Sequence, residues 1–186
     1  MENQSLGYYL ANLEKCCPQE NLKLPEPIDR DFTFMALVEE LDKKDFPPVV
    51  SGKIKGYDIP IVSNIFASRK RIANILGLDN PEDISPNWNK IEGNLLKPEI
   101  VDNGPVQDVV ITGEEIDAGK FPWMQYYKTD AGRYISSGIV VAKDPDSDIC
   151  NLSFHRMQYK DKNKFGISLH SRQHLFHYYQ RAEQMG

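Results

Sequence analysis

All four histidines of the chain fall between positions 155 and 177, and three of them, His170, His174 and His177, surround the start of a run with helical spacing. His174 and His177 are three apart and would share one helix face. Neutral imidazole is the commonest metal-binding side chain, so a zinc site is the sharpest chemistry this cluster offers. No cysteine or carboxylate stands at a matching spacing, and the same three residues also read as a loop histidine, a capping-turn histidine and a surface histidine that are merely neighbours. Just upstream, Asn151, Ser153 and Arg156 share one short stretch, Ile149 to Gln158. A guanidinium there can hold a carboxylate through two parallel hydrogen bonds, or it can pair with a surface acid at a strand end.

Other motifs fail. Gly113 to Lys120 resembles a phosphate-binding loop, but five residues separate Gly113 from Gly119 where four are needed, and Phe121 replaces the magnesium-binding Ser or Thr. No GxGxxG, HExxH or GxSxG occurs. Cys16 and Cys17 are adjacent and Cys150 is remote, which suits reduced thiols better than a disulfide framework. The 186 residues carry 22 Lys and Arg against 27 Asp and Glu, a balance that argues against a general nucleic-acid binder. No apolar run approaches the roughly 20 residues of a membrane span. The expectation is a soluble, cytoplasmic protein.

The elements that must position these residues fall into two parts. Leu6 to Glu14 can form a short helix before Pro18, Pro25 and Pro27 interrupt the chain. A firmer helix is predicted from Asp31 to Lys44, with Phe34, Val38 and Leu41 at helical spacing. Strands follow at Val49 to Lys55 and Tyr57 to Asn64. Ser68 then caps a helix that Gly77 stops. Within it, Arg69-Lys70-Arg71 reads as a solvated first turn, with ligand contact as the alternative. Residues 79–105, rich in Pro and Asn, form a connector. The division is thus an N-terminal α/β lobe at 1–105 and a second part at 106–186. In the second part Val109 to Ile111, Tyr134 to Ala142, Ile149 to Lys160 and Phe165 to His170 read as strands. The last three form an antiparallel meander. Ser171 is placed as the cap of a closing helix, which completes an α+β fold.

On these residues the chain resembles the UbiD-type family of reversible, prenylated-flavin-dependent decarboxylases. That family carries an Asn-x-x-x-x-Arg strand, a Lys/Asp/Asn-rich turn and a following His, which Asn151 to Arg156, Lys160 to Lys164 and His174 match. Asn64-x-x-x-Ser68-Arg69-x-Arg71 with Leu76-Gly77, and Asp130-x-Gly132-x-Tyr134-Ile135-Ser136-x-Gly138, are similar to earlier family segments.

The resemblance implies that residues 106–186 begin a split, flavin-reductase-like β-barrel. It implies a prenylated FMN whose phosphate meets Mn²⁺ or Mg²⁺ held by Asn151 and His174, with K⁺ nearby. Leu152, Ser153, Phe154, His155, Arg156 and Gln173 would line the cofactor, and Arg156 would be the catalytic arginine for a small carboxylic acid substrate. A flavin prenyltransferase would supply the cofactor, and the complete enzyme would be a homo-oligomer. Asn151 and Arg156 are an odd number apart, so an irregularity is expected between them if they share one cofactor. Relatives continue beyond the closing helix, where their third metal ligand and catalytic glutamates lie. The expectation is therefore the N-terminal part of a decarboxylase, inactive alone and completed by a C-terminal portion or partner subunit. A non-catalytic module derived from the family is the alternative, and a zinc-binding histidine cluster a further one.

Overall fold

The computed structural model describes residues 5–43, 47–94, 99–147 and 149–186. These contain helices and two small three-stranded sheets. They divide into two compact units, Met1–Asp29 with Thr33–Glu115, and Arg30–Phe32 with Ile116–Gly186.

In the first unit, helix α1 (Leu6–Cys16) starts where the Ser5 hydroxyl accepts a hydrogen bond from the Tyr8 amide. Strand β1 (Asn21–Lys23) pairs in parallel with β2 (Val49–Gly52), and helix α2 (Thr33–Asp42) lies between them in sequence. β2 then pairs antiparallel with β3 (Ile61–Ser63). Phe34, Val38 and Leu41 recur at helical spacing and are all buried, together with Val49, Val50, Ile54 and Ala73. The sequence-predicted end of α2 at Lys44 lies outside the described residues, as does Pro98 of the connector.

Helix α3 (Arg69–Ile75) is capped by Ser68, whose Oγ accepts from the Arg71 amide at 3.4 Å. Gly77 follows it at φ +70°, the left-handed conformation that glycine adopts without a Cβ penalty. Arg69 and Lys70 are exposed, as a solvated basic turn requires, but Arg71 departs from that expectation and is only 1% exposed. Its Nη2 donates to the Pro47 carbonyl at 2.6 Å and the Asn64 carbonyl at 3.0 Å, and its Nη1 lies 3.6 Å from buried Glu20. This guanidinium ties four chain segments together.

The connector also departs from expectation. It contains helix α4 (Ile84–Glu92), in which Trp88 Nε1 donates to Glu92 Oε1 one turn on, at 2.7 Å. Pro86 is tolerated because it falls in the first turn, where its missing N–H has no intrahelical acceptor. Val109 to Ile111, expected as a strand, is exposed and irregular; no strand lies beside it among the described residues to bond its backbone.

The second unit is built on the expected meander of β4 (Tyr134–Lys143), β5 (Cys150–Asp161) and β6 (Lys164–Ile167), in that order and antiparallel throughout. Trp123 and Phe165 meet edge to face at 5.6 Å, and Tyr159 meets Phe165 at 5.9 Å, which packs one end of the sheet. Helix α5 (His174–Met185) closes the chain. It begins later than expected. Gln173, not Ser171, is the N-cap residue, and no side chain caps the helix.

Candidate active site

β5 places its side chains alternately on two faces, and the burial pattern separates them. Asn151, Ser153 and His155 lie on the shielded face, with His155 only 4% exposed. Leu152 and Phe154 lie on the other face, 66% and 71% exposed, beside Arg156. Across the ladder, Val141 pairs with Leu152 and Ile139 with Phe154, so this open face carries a row of four exposed apolar side chains. Arg156 stands at its end, with its guanidinium carbon 5.7 Å from the centre of the Tyr134 ring.

The irregularity expected in β5 between Asn151 and Arg156 is on its partner instead. Asn151 to His155 pair one to one with Ala142 to Gly138. The register then shifts between Ile135 and Gly138, leaving Ser136 and Ser137 opposite the single residue Arg156. Gly138 permits this close crossing: a Cβ there would fall 2.1 Å from Met157 Cε and 3.1 Å from the His155 carbonyl oxygen. β5 therefore stays regular from Asn151 to Arg156, its own irregularity lying further on between Tyr159 and Asp161, and Asn151 and Arg156 stay on opposite faces.

On the shielded face two polar contacts form. Ser153 Oγ and His155 Nε2 are 2.8 Å apart. His174, the first residue of α5, brings its Nδ1 to 3.3 Å from Asn151 Oδ1 across 23 residues of sequence. Gln173 is turned back on the loop before it, its Oε1 accepting from the His170 amide at 3.2 Å. His177 packs against Phe176. Among the described residues no three His, Cys, Asp or Glu side chains converge as metal donors, so the three helix-end histidines do not form a zinc cluster.

The Asn151–His174 pair does suit a harder divalent ion. Two adjacent ligands of an octahedral ion, each about 2.1 Å from it, lie about 3 Å apart, close to the 3.3 Å separation here. An amide oxygen and an imidazole are both neutral donors, which leaves the ion's charge available to an anion such as a phosphate.

Three features of the site escaped the sequence reading. Tyr178 stacks on the His174 ring, with centroids 6.3 Å apart. Arg181 Nε reaches both carboxylate oxygens of Asp146, at 2.9 and 2.7 Å. Tyr134 lies under Arg156. The first two were signalled only by positions four and seven after His174, the spacing of one helix face.

Two family models match the chain. The 3-octaprenyl-4-hydroxybenzoate carboxy-lyase N-terminal domain covers residues 20–86, and the Rift-related domain of the same carboxy-lyase covers residues 99–186. An uncharacterized protein of Aquifex aeolicus is 33% identical, over 71% of this chain and 31% of its own length. The anhydromevalonate phosphate decarboxylase of Methanothermobacter thermautotrophicus is 27% identical, over 90% of this chain and 38% of its own. Among solved structures, an evolved dimeric form of the UbiD-class enzyme HmfF from Pelotomaculum thermopropionicum, in complex with prFMN, is 29% identical with a TM-score of 0.89. That match covers 99% of this chain and 42% of the HmfF chain. The chain thus spans 31% to 42% of the length of these relatives.

Proposed function

The chain belongs to the UbiD family of carboxy-lyases, and on that premise we propose that it forms the flavin-binding part of a reversible decarboxylase acting on an aromatic or α,β-unsaturated carboxylic acid. One observation above all supports this reading: Asn151 and His174 meet at 3.3 Å, with Arg156 five residues further along the same strand.

In this reading Asn151 and His174 would hold Mn²⁺ or Mg²⁺, with K⁺ in the same site, and so provide positive charge for the phosphate of prenylated FMN. When bound, the modified flavin supplies an electron sink for the loss of CO₂. Leu152, Ser153, Phe154, His155 and Gln173 line the cofactor. Arg156 grips the substrate carboxylate through its two-pronged donor set and orients the bond to be broken. The Tyr134 ring beneath the guanidinium restricts its swing without competing for its donors. Asn151 and Arg156 occupy opposite faces, so a single cofactor would touch both only if it wrapped round the strand.

The third metal ligand and the proton-donating glutamates used by relatives are assigned to polypeptide corresponding to the remainder of the relatives' length. The division at 1–105 and 106–186, with the second part opening a split barrel, belongs to the same proposal. So do the cytoplasmic location, the homo-oligomeric complete enzyme and a flavin prenyltransferase as cofactor supplier.

Titration of FMN with Mn²⁺ and K⁺, followed by flavin fluorescence anisotropy and native mass, tests the reading in wild type and His174→Ala. Metal-dependent binding that the substitution abolishes is the expected result. Binding indifferent to both metal and His174 would remove the proposed site. A second reading, a non-catalytic subunit, is favoured by the exposed apolar row of Ile139, Val141, Leu152 and Phe154, which suits a protein partner as well as a cofactor. It predicts partner binding with no flavin affinity at all.

A further inference from the structure

α5 has little apolar anchorage. None of its twelve residues is fully buried, and its first turn begins at Gln173 without a side-chain cap. A helix this short is marginal unless its surroundings hold it, and its ends fray first. His174 stands in that uncapped first turn, where an imidazole left to itself would sample several rotamers.

Two contacts oppose this. His174, Tyr178 and Arg181 are spaced as i, i+4 and i+7, so they run along one face of the helix. Tyr178 stacks on the imidazole with an interplanar angle of 27°. One turn further on, Arg181 is tied to Asp146 in the turn between β4 and β5. That turn is itself organised: Asp144 Oδ1 accepts from the Asp146 amide at 3.0 Å, and Asp144 Oδ2 accepts from the Ser147 hydroxyl at 2.9 Å. The helix is therefore fastened to the β4–β5 hairpin at two points, Asn151 with His174 and Asp146 with Arg181. The two helix residues are about 10 Å apart along its axis.

We propose that Tyr178 and the Asp146–Arg181 ion pair are positioning residues that hold the His174 imidazole facing Asn151, so that the two donors are preset for a divalent ion. The inference rests on the reading of Asn151 and His174 as metal ligands. Tyr178 acts directly on the ring plane. The ion pair acts at a distance, by stopping the helix from rolling or sliding on the hairpin.

Mn²⁺ affinity, measured by electron paramagnetic resonance of the free ion, provides the test in the protein as expressed from its own gene, with any subunit that copurifies. The nitrogen modulation that an imidazole ligand imposes on the bound Mn²⁺ signal is recorded alongside. Tyr178→Ala should weaken Mn²⁺ binding about tenfold and reduce the nitrogen modulation, whereas Tyr178→Phe should retain both. Arg181→Ala and Asp146→Ala should each weaken binding about two- to fivefold, the scale of an exposed ion pair. The charge-reversed double variant D146R/R181D should restore most of that loss. If His174→Ala abolishes binding while folded Tyr178→Ala and Arg181→Ala bind like wild type, the positioning role is overturned. If D146R/R181D folds yet binds no better than the single variants, the ion-pair arm is overturned. If His174→Ala binds Mn²⁺ like wild type, the metal-site reading fails and carries this inference with it.

Discussion

Arg133 grips Asp31 across 102 residues of sequence, donating from Nε to Oδ1 at 3.2 Å and from Nη2 to Oδ2 at 2.8 Å. The Gln125 amide is a third donor to the carboxylate, the second at Oδ1, and the Phe32 amide donates to the Gln125 carbonyl at 3.0 Å. Arg30–Phe32 is thereby fastened into the unit that carries β4, β5 and α5.

This contact predicts an acid-sensitive stability. Partial burial works to raise the Asp31 pKa, but hydrogen bonds from Arg133 and Gln125, with the charges of Arg133 and Arg30, outweigh it and hold the carboxyl below its ordinary value. A group depressed on folding stabilises the native state above its unfolded value of about 3.9, and that contribution fades as pH falls through the folded value. Asp31→Asn should therefore cost about 1 kcal/mol near neutrality. Urea unfolding at a series of pH values should show the gap between variant and wild type narrowing progressively as pH falls below about 3.9 and through the lowered folded value. A gap that stays constant as the carboxylate is protonated would separate the loss from its charge.

Arg71 supports the other unit. Arg71→Met should be less harmful than Arg71→Ala, since Met keeps much of the volume, but both leave Glu20 buried without its cation and two carbonyls without a donor. A loss of about 3–5 kcal/mol is expected for Arg71→Ala, the scale of a broken buried pair. Replacing Glu20 and Arg71 together by Gln and Met should recover part of it. Chemical denaturation of the single and double variants measures the difference.

What the sequence disclosed follows from the range of each interaction. α2 and α3 were legible because their signals are local: Phe34, Val38 and Leu41 repeat at helical spacing, and Ser68 and Gly77 mark two ends. The buried state of Arg71 was not, since it depends on Glu20, Pro47 and Asn64, all remote in sequence. α4 was hidden by the surrounding prolines, although Pro86 occupies a first-turn position where the penalty vanishes. The bulge was expected near Arg156 but assigned to the wrong strand. Ser136-Ser137-Gly138 has small side chains that place no visible demand on register, so the partner strand absorbed the extra residue. Asp146 and Arg181 are 35 residues apart, and nothing in either neighbourhood announces the pair.

Gly138 tests that geometry. Its φ is not in the left-handed region, so the constraint is space: an added methyl would meet Met157 Cε at 2.1 Å and the His155 carbonyl at 3.1 Å. Met157 can move, but the backbone oxygen can move only with β5. Gly138→Ala should cost about 1–3 kcal/mol, the range for overpacking, and hydrogen exchange should accelerate at the amides of β5 around His155. Unchanged exchange and an unchanged midpoint would mean that Met157 alone absorbs the methyl.

Arg156 separates function from stability most cleanly. It is exposed, and its cation–π contact with Tyr134 is solvated, so removing it should leave the melting temperature within a degree or two of wild type. In the proposed mechanism it grips the carboxylate that becomes CO₂. Truncation of one partner of such a charge pair costs about 10²- to 10³-fold or more. Arg156→Lys keeps the charge but loses the flat, two-pronged donor set, so it should recover only a small part of the activity. The measurement is kcat and KM for decarboxylation by the complete enzyme, with any partner subunit it needs, alongside thermal unfolding of the same preparations. Equal turnover in Arg156→Lys and wild type would show that charge alone suffices there. A large drop in melting temperature for Arg156→Ala would instead make the guanidinium a structural element of the β4–β5 sheet, and the carboxylate would need another anchor.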